Sequence, residues 1–450
     1  MLRFLENNWI SNSKYLFALT LFNSALIINF SDLFHAQPYL GLIGFLLTGL
    51  TFLNYKLWWA VFINIAINFY YYAPKFPRLS NHGNLEIFIS IGLLIIICCK
   101  IFNKKVNFSA EFLSFLFRFS VVTVYFYTGF HKLNTDFFNP CTSCSDAILK
   151  GTIDNFTNSK MEFNAAFSHF LHFSTLFLES IVPFGLLFSG TRKWAATIIL
   201  SFHLFLSLSF YADFSALGMF LIVCCCIDFN QLEIFKSHII GLKIYTLFSM
   251  VSFAVMILMQ RLFLEKQFVY FVSGCLFSIG FLTFVMVYFW NYKPIKTNFK
   301  LKYISGIIPV LLVINFWTLR TYIGLGNTAN FTMFSNLMTE KSRSNHLIID
   351  TKKTKIFNFE EDNVLILALH DSLKAKKLIG YKLPITEFKY AAKEWVKSKK
   401  NIKLTATLIY KKDTIFITDL KNSEFSKHKW WYKFLFFRKI QPQGANECYW

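Results

Sequence analysis

Long apolar runs recur every few tens of residues along this 450-residue chain, and no other feature limits its possible folds so tightly. A run of about 17 to 25 mostly apolar residues is long enough to be read as a membrane-spanning helix. Such runs lie at 15–32, 38–54, 57–72, 84–100, 110–131, 166–189, 193–211, 214–229, 241–260, 267–290 and 303–319. The chain is 55% hydrophobic and 16% charged, against roughly 25% charged for an average soluble domain. The expected fold is therefore a polytopic α-helical membrane protein of about eleven transmembrane helices over residues 1–320. A small C-terminal α+β extramembrane domain at 328–450 completes it.

Lys and Arg are about twice as frequent in the loops on the amino-terminal side of these runs as in the alternate loops. Basic loops stay cytoplasmic, so the expected orientation has a cytoplasmic amino terminus and an extracytoplasmic C-terminal domain. The first residues carry Glu6, two asparagines and Trp9 without a small-residue cleavage site, so they do not read as a removable signal peptide. Abundant Phe, Lys, Ile and Asn suggest an AT-rich bacterial genome and hence an inner membrane.

Beyond the stretch "YIGLGNTAN" (322–330) the pattern changes. "NHLIID", "TKIFNF", "NVLILALH", "KLTATLIY" and "TIFITDL" alternate as strands do, while "ITEFKYAAKEWVKSKK" has the rhythm of an amphipathic helix. This region supplies about half of the net charge of +21. A basic surface near anionic lipid headgroups explains that excess without nucleic acid, which is not an expected partner; membrane lipid is. "KWWYKFLFFRKI" interleaves aromatics and bases as an interfacial helix would. The chain has no phosphate-binding glycine loop, no nucleophile elbow and no fixed-period repeat.

Cys98, Cys99, Cys224, Cys225, Cys226 and Cys275 lie inside apolar runs, where cysteine behaves as a small hydrophobe. Cys141, Cys144 and Cys448 fall in the regions expected outside the cytoplasm. There a Cys141–Cys144 disulfide is favoured over a redox pair, but with three thiols Cys448 is also able to join either loop cysteine.

Ionisable residues inside apolar runs are costly and mark interior or functional positions. Lys132 ends the fifth run, and Arg118 lies nearly four turns earlier on roughly the same face. His169, His172 and Glu179 make one stripe on the sixth run, and His203 stands among serines on the seventh. Each has a plain alternative: a terminal lysine can snorkel to the interface, and a lone histidine is commonly a hydrogen-bonded core residue. HxxH with one distant carboxylate is a weak metal motif, and no metal is expected. Arg118 and Glu179 are expected to face the interior, with each other as one candidate pairing.

The run "YFYTGFHKLNTDFF" resembles the aromatic-Gly-x-x-Lys-Leu-x-x-Asp-aromatic signature of the vitamin K-dependent γ-carboxylase family and its bacterial relatives, the horizontally transferred transmembrane (HTTM) domain proteins. "LESIVPFGLLFSGTRKWAATIILSFHLFLSLSF" and then "FSALGMF" are similar to the family's following helices, and "MFSNL" with the terminal "FRKI…ECYW" to the tails of some bacterial members. The resemblance covers about residues 10–300. It implies a reduced naphthoquinone, menaquinol or vitamin K hydroquinone, that gives up a proton to Lys132, adds O2, and yields a base strong enough to deprotonate a glutamate γ-carbon that captures CO2.

Burial disfavours an ammonium ion, so a lysine kept from water can supply a neutral amine base. Glu179 and His203 are expected as further catalytic members of the pocket. Gly129, one turn before the lysine, is expected to leave room for the flat quinone ring, with His131 beside it. His131 stands where the carboxylases have a second lysine-type residue, and no stretch matches a propeptide-binding site. Two classes follow: a quinol-oxidising membrane enzyme acting on a peptide or small substrate, or a non-catalytic membrane protein for peptide maturation, immunity or transport in which the same polar groups only join helices.

Overall fold

A computed structural model describes residues 36–53, 57–102, 110–209, 212–226, 303–370, 375–399 and 402–444, with Cys448 and scattered positions among 26–33 and 244–262. Among the described residues the apolar runs become helices, α1 (Pro38–Leu53), α2 (Trp58–Tyr72), α3 (Asn81–Phe102), α4 (Ala110–Phe130), α6 (Ala165–Ser180), α7 (Arg192–Leu208), α8 (Ala212–Cys226) and α9 (Ile304–Leu319), and α5 (Cys144–Thr157) is a further helix between two of them. A 3₁₀ turn, Val182–Leu186, prolongs α6. The helix α4 lies at the centre, against α6, α8 and α9. Polar side chains tie helices together at single points. Asn64 of α2 donates to Thr48 Oγ1 (3.0 Å) and Gly44 O (3.2 Å) of α1, and Arg118 of α4 donates to Cys225 O of α8 at 2.8 Å.

The expectation of about eleven membrane spans is overturned. Among the described residues one helix, Ala165–Leu186, is long and apolar enough to cross a membrane. Helices α1, α2, α7, α8 and α9 have 15 to 17 residues. At about 1.5 Å per residue they reach roughly 22 to 26 Å, less than the ~30 Å hydrocarbon core. A helix that is apolar all round reads the same in sequence whether lipid or other helices cover it, which is why composition misled. The expected runs at 15–32, 241–260 and 267–290 and Cys275 lie largely or wholly outside the described residues.

In the C-terminal part, β1 (Asn363–Leu369), β2 (Lys382–Pro384), β3 (Ala406–Tyr410) and β4 (Asp413–Ile417) form an antiparallel sheet of order β2-β1-β3-β4. Helix α10 (Ile385–Ser398) lays Ile385, Phe388 and Ala392, spaced i, i+3, i+7, on Val364, Ile366 and Leu408. "NHLIID" and "TKIFNF" are not strands. Their backbone groups are taken up by the ends of the helical part: Leu347 N donates to Leu133 O (2.8 Å), and Phe357 N to Ile323 O (3.0 Å). Those partners are distant in sequence, so alternation alone could not disclose them. "KWWYKFLFFRKI" is likewise not one helix but a 3₁₀ turn, Trp430–Phe434, followed by extended chain bridged to Gly326 and Lys382.

The segment 322–346 crosses the helices instead of joining the sheet. Ala329, Phe331, Phe334 and Asn336 all have left-handed φ of 53° to 61°. Such backbone costs of order 1–3 kcal/mol per residue and persists where surrounding contacts over-determine it. Here Phe331 N donates to Asn81 Oδ1 (2.6 Å), Trp317 Nε1 to Ala329 O (2.9 Å), and Asn336 Nδ2 to Thr142 O (2.7 Å). Cys144 is disulfide-bonded to Cys448 and Cys141 is exposed and free, which replaces the expected Cys141–Cys144 bond.

A buried cluster between the 327–340 crossing and residues 355–361 carries a pH prediction. Glu360 accepts from Lys355 Nζ (2.5 Å), Thr339 Oγ1 (3.0 Å) and Asn327 Nδ2. Burial, and then neighbouring Glu340, push its carboxyl up to about 7 against the pull of Lys355. Burial would lower the Lys355 ammonium, but Glu360 and Glu361 outweigh it and hold it above its ordinary value. The native state thus keeps the Glu360 proton through a range where the unfolded chain has released it. Its contribution to stability is full below the ordinary carboxyl range near 4.5 and is lost as pH rises to about 7. A denaturation midpoint that falls over this window in the native chain, and falls less in Glu360→Gln, is the expected result.

Candidate functional site

Helix α4 ends in a tight turn that sets Lys132. The Lys132 N–H closes on Gly129 O at 2.9 Å, and Asn134 then pins the exit by donating to His131 O (2.8 Å) and Ser335 O (2.5 Å). The ammonium is consequently turned inward, and Lys132 is 2% exposed. Its Nζ lies 2.6 Å from Glu179 Oε2 at the end of α6 and 3.3 Å from the carbonyls of Thr128 and Met333. An interfacial lysine extends toward water; this one does not. Glu179 pairs with Lys132 and not with Arg118, the partner its position suggested.

The pair lies at the wall of a cavity of about 770 Å³ enclosed chiefly by α3, α4, α7, α8, α9 and the 331–334 crossing. Its lining is almost wholly apolar, including Phe88, Val121, Leu206, Phe331 and Phe334. Ile91 of α3 and Val310 and Val313 of α9 line it and are also exposed. A Cβ on Gly92, next to Ile91 in the lining, would meet nothing within 4 Å.

Tyr125, Thr128, Lys132, Glu179 and His203 all contribute to the lining. His203 of α7 is fully buried; its Nε2 meets the Tyr125 hydroxyl, and its Nδ1 has no hydrogen-bond partner. Sequence reasoning passed over Tyr125 and Thr128, although positions 125, 128 and 132 follow one helix face at i, i+3, i+7. It also passed over Gly218 of α8. A Cβ there would stand 2.3 Å from His203 Cε1, so only glycine leaves the imidazole its place.

Gly129 and His131 lie elsewhere. A Cβ on Gly129 would stand 2.0 Å from Ser180 Oγ and 3.0 Å from Ser180 N. The glycine therefore serves the close approach of α4 and α6, and the quinone-ring role expected for it is withdrawn. His131 is buried outside the cavity lining, with Nδ1 2.7 Å from the Tyr322 hydroxyl. The stripe on α6 also divides: His169 is exposed, while His172 Nε2 pairs with Asp146 of α5, whose other oxygen accepts from Ser168 Oγ at 2.5 Å. Among the described residues no group of three His, Cys, Asp or Glu is disposed to hold a metal.

Since Glu179 adjoins Ser180, the Gly129 contact sets the lysine–carboxylate distance. Gly129→Ala is expected to push α6 away, to cost about 1–3 kcal/mol by overpacking, and to weaken the pair. Ser180→Gly in the same chain should recover much of that stability in a denaturant titration; no recovery would place the function of Gly129 elsewhere.

Comparison with protein-family models, with curated proteins and with solved structures gives no match. The site is therefore interpreted from its own chemistry. Lys132 Nζ and Glu179 Oε2 lie 2.6 Å apart beside an apolar space, and a phenol–imidazole pair supplies further polar atoms to the same space. A cavity of this lining has room for a largely apolar molecule, with polar groups at one part of its wall.

Proposed function

We propose that the cavity binds a reduced naphthoquinone and that the chain oxidises it with O2, the Lys132–Glu179 pair taking the quinol proton. One observation carries this reading: a buried lysine–carboxylate pair opens onto a cavity that is otherwise almost wholly apolar. Pockets of about 300–1,000 Å³ with a few convergent polar groups suit a ring-sized ligand, and the present one falls in that range. An apolar substituent of the ring would lie along Ile91, Val310 and Val313, which line the cavity and are also exposed. Lys132 and Glu179 hold and move the proton, Tyr125 and His203 orient the polar edge of the ring, and Phe331 and Phe334 exclude water.

A membrane location, the bacterial inner membrane with the C-terminal domain outside the cytoplasm, accompanies this reading. Phe170, Phe173, Phe177 and Ile181 form an exposed apolar stripe on and just beyond α6, and the Cys144–Cys448 bond suits an oxidising compartment. The test is incubation of the purified protein with reduced menaquinone and O2. Each O2 consumed should yield one quinone epoxide and one water. Absence of turnover with several quinols would return the polar pairs to a purely structural role, in a maturation, immunity or transport protein. A peptide or small acid that takes up the carbon-acid step would be sought only after epoxide is seen.

A further inference from the structure

The sequence from Lys427 to Ile440 contains five basic residues and no acidic one. In the fold its aromatic side chains do not all turn inward: Trp430 is 76% exposed and Phe434 38%. A second segment, remote in sequence, comes alongside, where Ile356 is 70% exposed and Phe357 38%. The two are joined ring to ring. Phe357 stacks on Phe359 (5.8 Å between centroids), Phe359 meets Trp431 (5.6 Å), Trp431 meets Tyr432 (4.6 Å), and Trp430 meets Phe434 (6.2 Å). Lys427, Lys429, Lys352 and Lys353 are exposed on the same two segments, and Lys433 lies over Phe434 at 5.4 Å.

We infer that this aromatic ridge, led by Trp430, Phe434, Ile356 and Phe357 with Lys429 and Lys433, docks on the headgroup–acyl boundary of an anionic lipid bilayer. Each physical element of such a surface is present. Trp and Tyr gain at that boundary because an apolar ring is buried while the polar N–H or O–H stays wet. Lysine stems lie along apolar surface with the ammonium among headgroups, and each lysine near an anionic surface adds about 1 kcal/mol. Charge decides between occupants: the 427–440 segment carries five basic residues and no acidic one, and Asp350 beside the second segment lies against Lys353 at 4.0 Å, so the ridge matches a negative surface.

The ridge is also firmly backed. Arg78, in the α2–α3 connection, donates to the carbonyls of Tyr432 (3.3 Å), Lys433 (3.2 Å) and Leu435 (3.0 Å) and forms a two-point ion pair with Glu387 of α10 at 2.6 and 2.9 Å. Arg320 donates to Phe434 O and lies 3.8 Å over Trp317, whose ring stacks on Phe76 of the cavity wall at 5.3 Å. The ridge is thus tied to the α2–α3 connection, to α10 and, through Arg320 and Trp317, to the cavity wall, so it is presented by packed structure.

This inference is independent of the chemistry proposed for the cavity, and its test reads no turnover. The full chain carrying Cys141→Ser and Trp430→Cys receives an environment-sensitive dye at position 430 and meets vesicles of phosphatidylcholine alone or with one third phosphatidylglycerol. A dye at position 416, on strand β4, is the reference. The dye at 430 should shift to the blue, lose access to iodide and be quenched by lipid-borne nitroxide, more strongly with phosphatidylglycerol. Lys429→Glu with Lys433→Glu should cut apparent affinity for the anionic vesicles by roughly 10- to 30-fold or more, from about 1 kcal/mol per lysine. A dye at 430 that stays open to iodide with both lipids overturns the proposal. So does an unchanged anionic preference after both charge reversals.

Discussion

Lys132→Ala is expected to lower quinol turnover by about 10²- to 10⁴-fold, the usual contribution of a positioned proton acceptor. The substitution also strands Glu179 in a buried position, and breaking a buried ion pair from one side typically costs about 3–5 kcal/mol. Lost activity alone would therefore not distinguish a base from a tie between helices. Two further variants do. Lys132→Met with Glu179→Leu removes both charges and should regain much of the stability, because a matched apolar pair avoids the cost of an unpaired ion. Its turnover should remain at the Lys132→Ala level. Lys132→Arg keeps a cation beside Glu179 but cannot release a proton at accessible pH, so it should fold and fail to turn over. Full epoxide formation by Lys132→Arg would remove the proton-acceptor role.

Reduction of Cys144–Cys448 is the second large effect expected. The bond joins the start of α5 to the chain's end across 304 residues. On chain-entropy grounds a closed loop of that size stabilises the native state by roughly 5 kcal/mol, more than most side-chain contacts supply. Reductant should lower the denaturation midpoint accordingly, and Cys448→Ser should have the same effect without reductant. Thiol labelling gives an independent check. Cys141, exposed and free, should react with a membrane-impermeant maleimide at once, while Cys144 and Cys448 should react only after reduction. Three thiols reactive from the outset would show that the bond does not form. Rapid labelling also decides against the bond between Cys141 and Cys144 that their spacing suggested.

Local pattern carried some of this protein far. Among the described residues helices lie over the apolar runs, as their length pointed, and β1, β3, β4 and α10 lie where alternation or a 3.6-residue period pointed. Lys132, Glu179 and His203 could be singled out because charge and imidazole are costly in apolar surroundings, and all three line one cavity. Other outcomes needed three dimensions. Whether an apolar helix is covered by lipid or by other helices depends on length and neighbours, so eleven expected spans became one among the described residues.

Pairing was decided by approach of distant segments. Glu179 found Lys132 rather than Arg118, Cys144 found Cys448 rather than Cys141, and residues 345–359 gave their backbone to the helical part rather than to a sheet. The two glycines show the division most sharply. Sequence determined that neither position carries a side chain. Tertiary structure alone decided that Gly129 admits the Ser180 backbone while Gly218 admits the His203 ring, since what fills the space beside a glycine belongs to another helix.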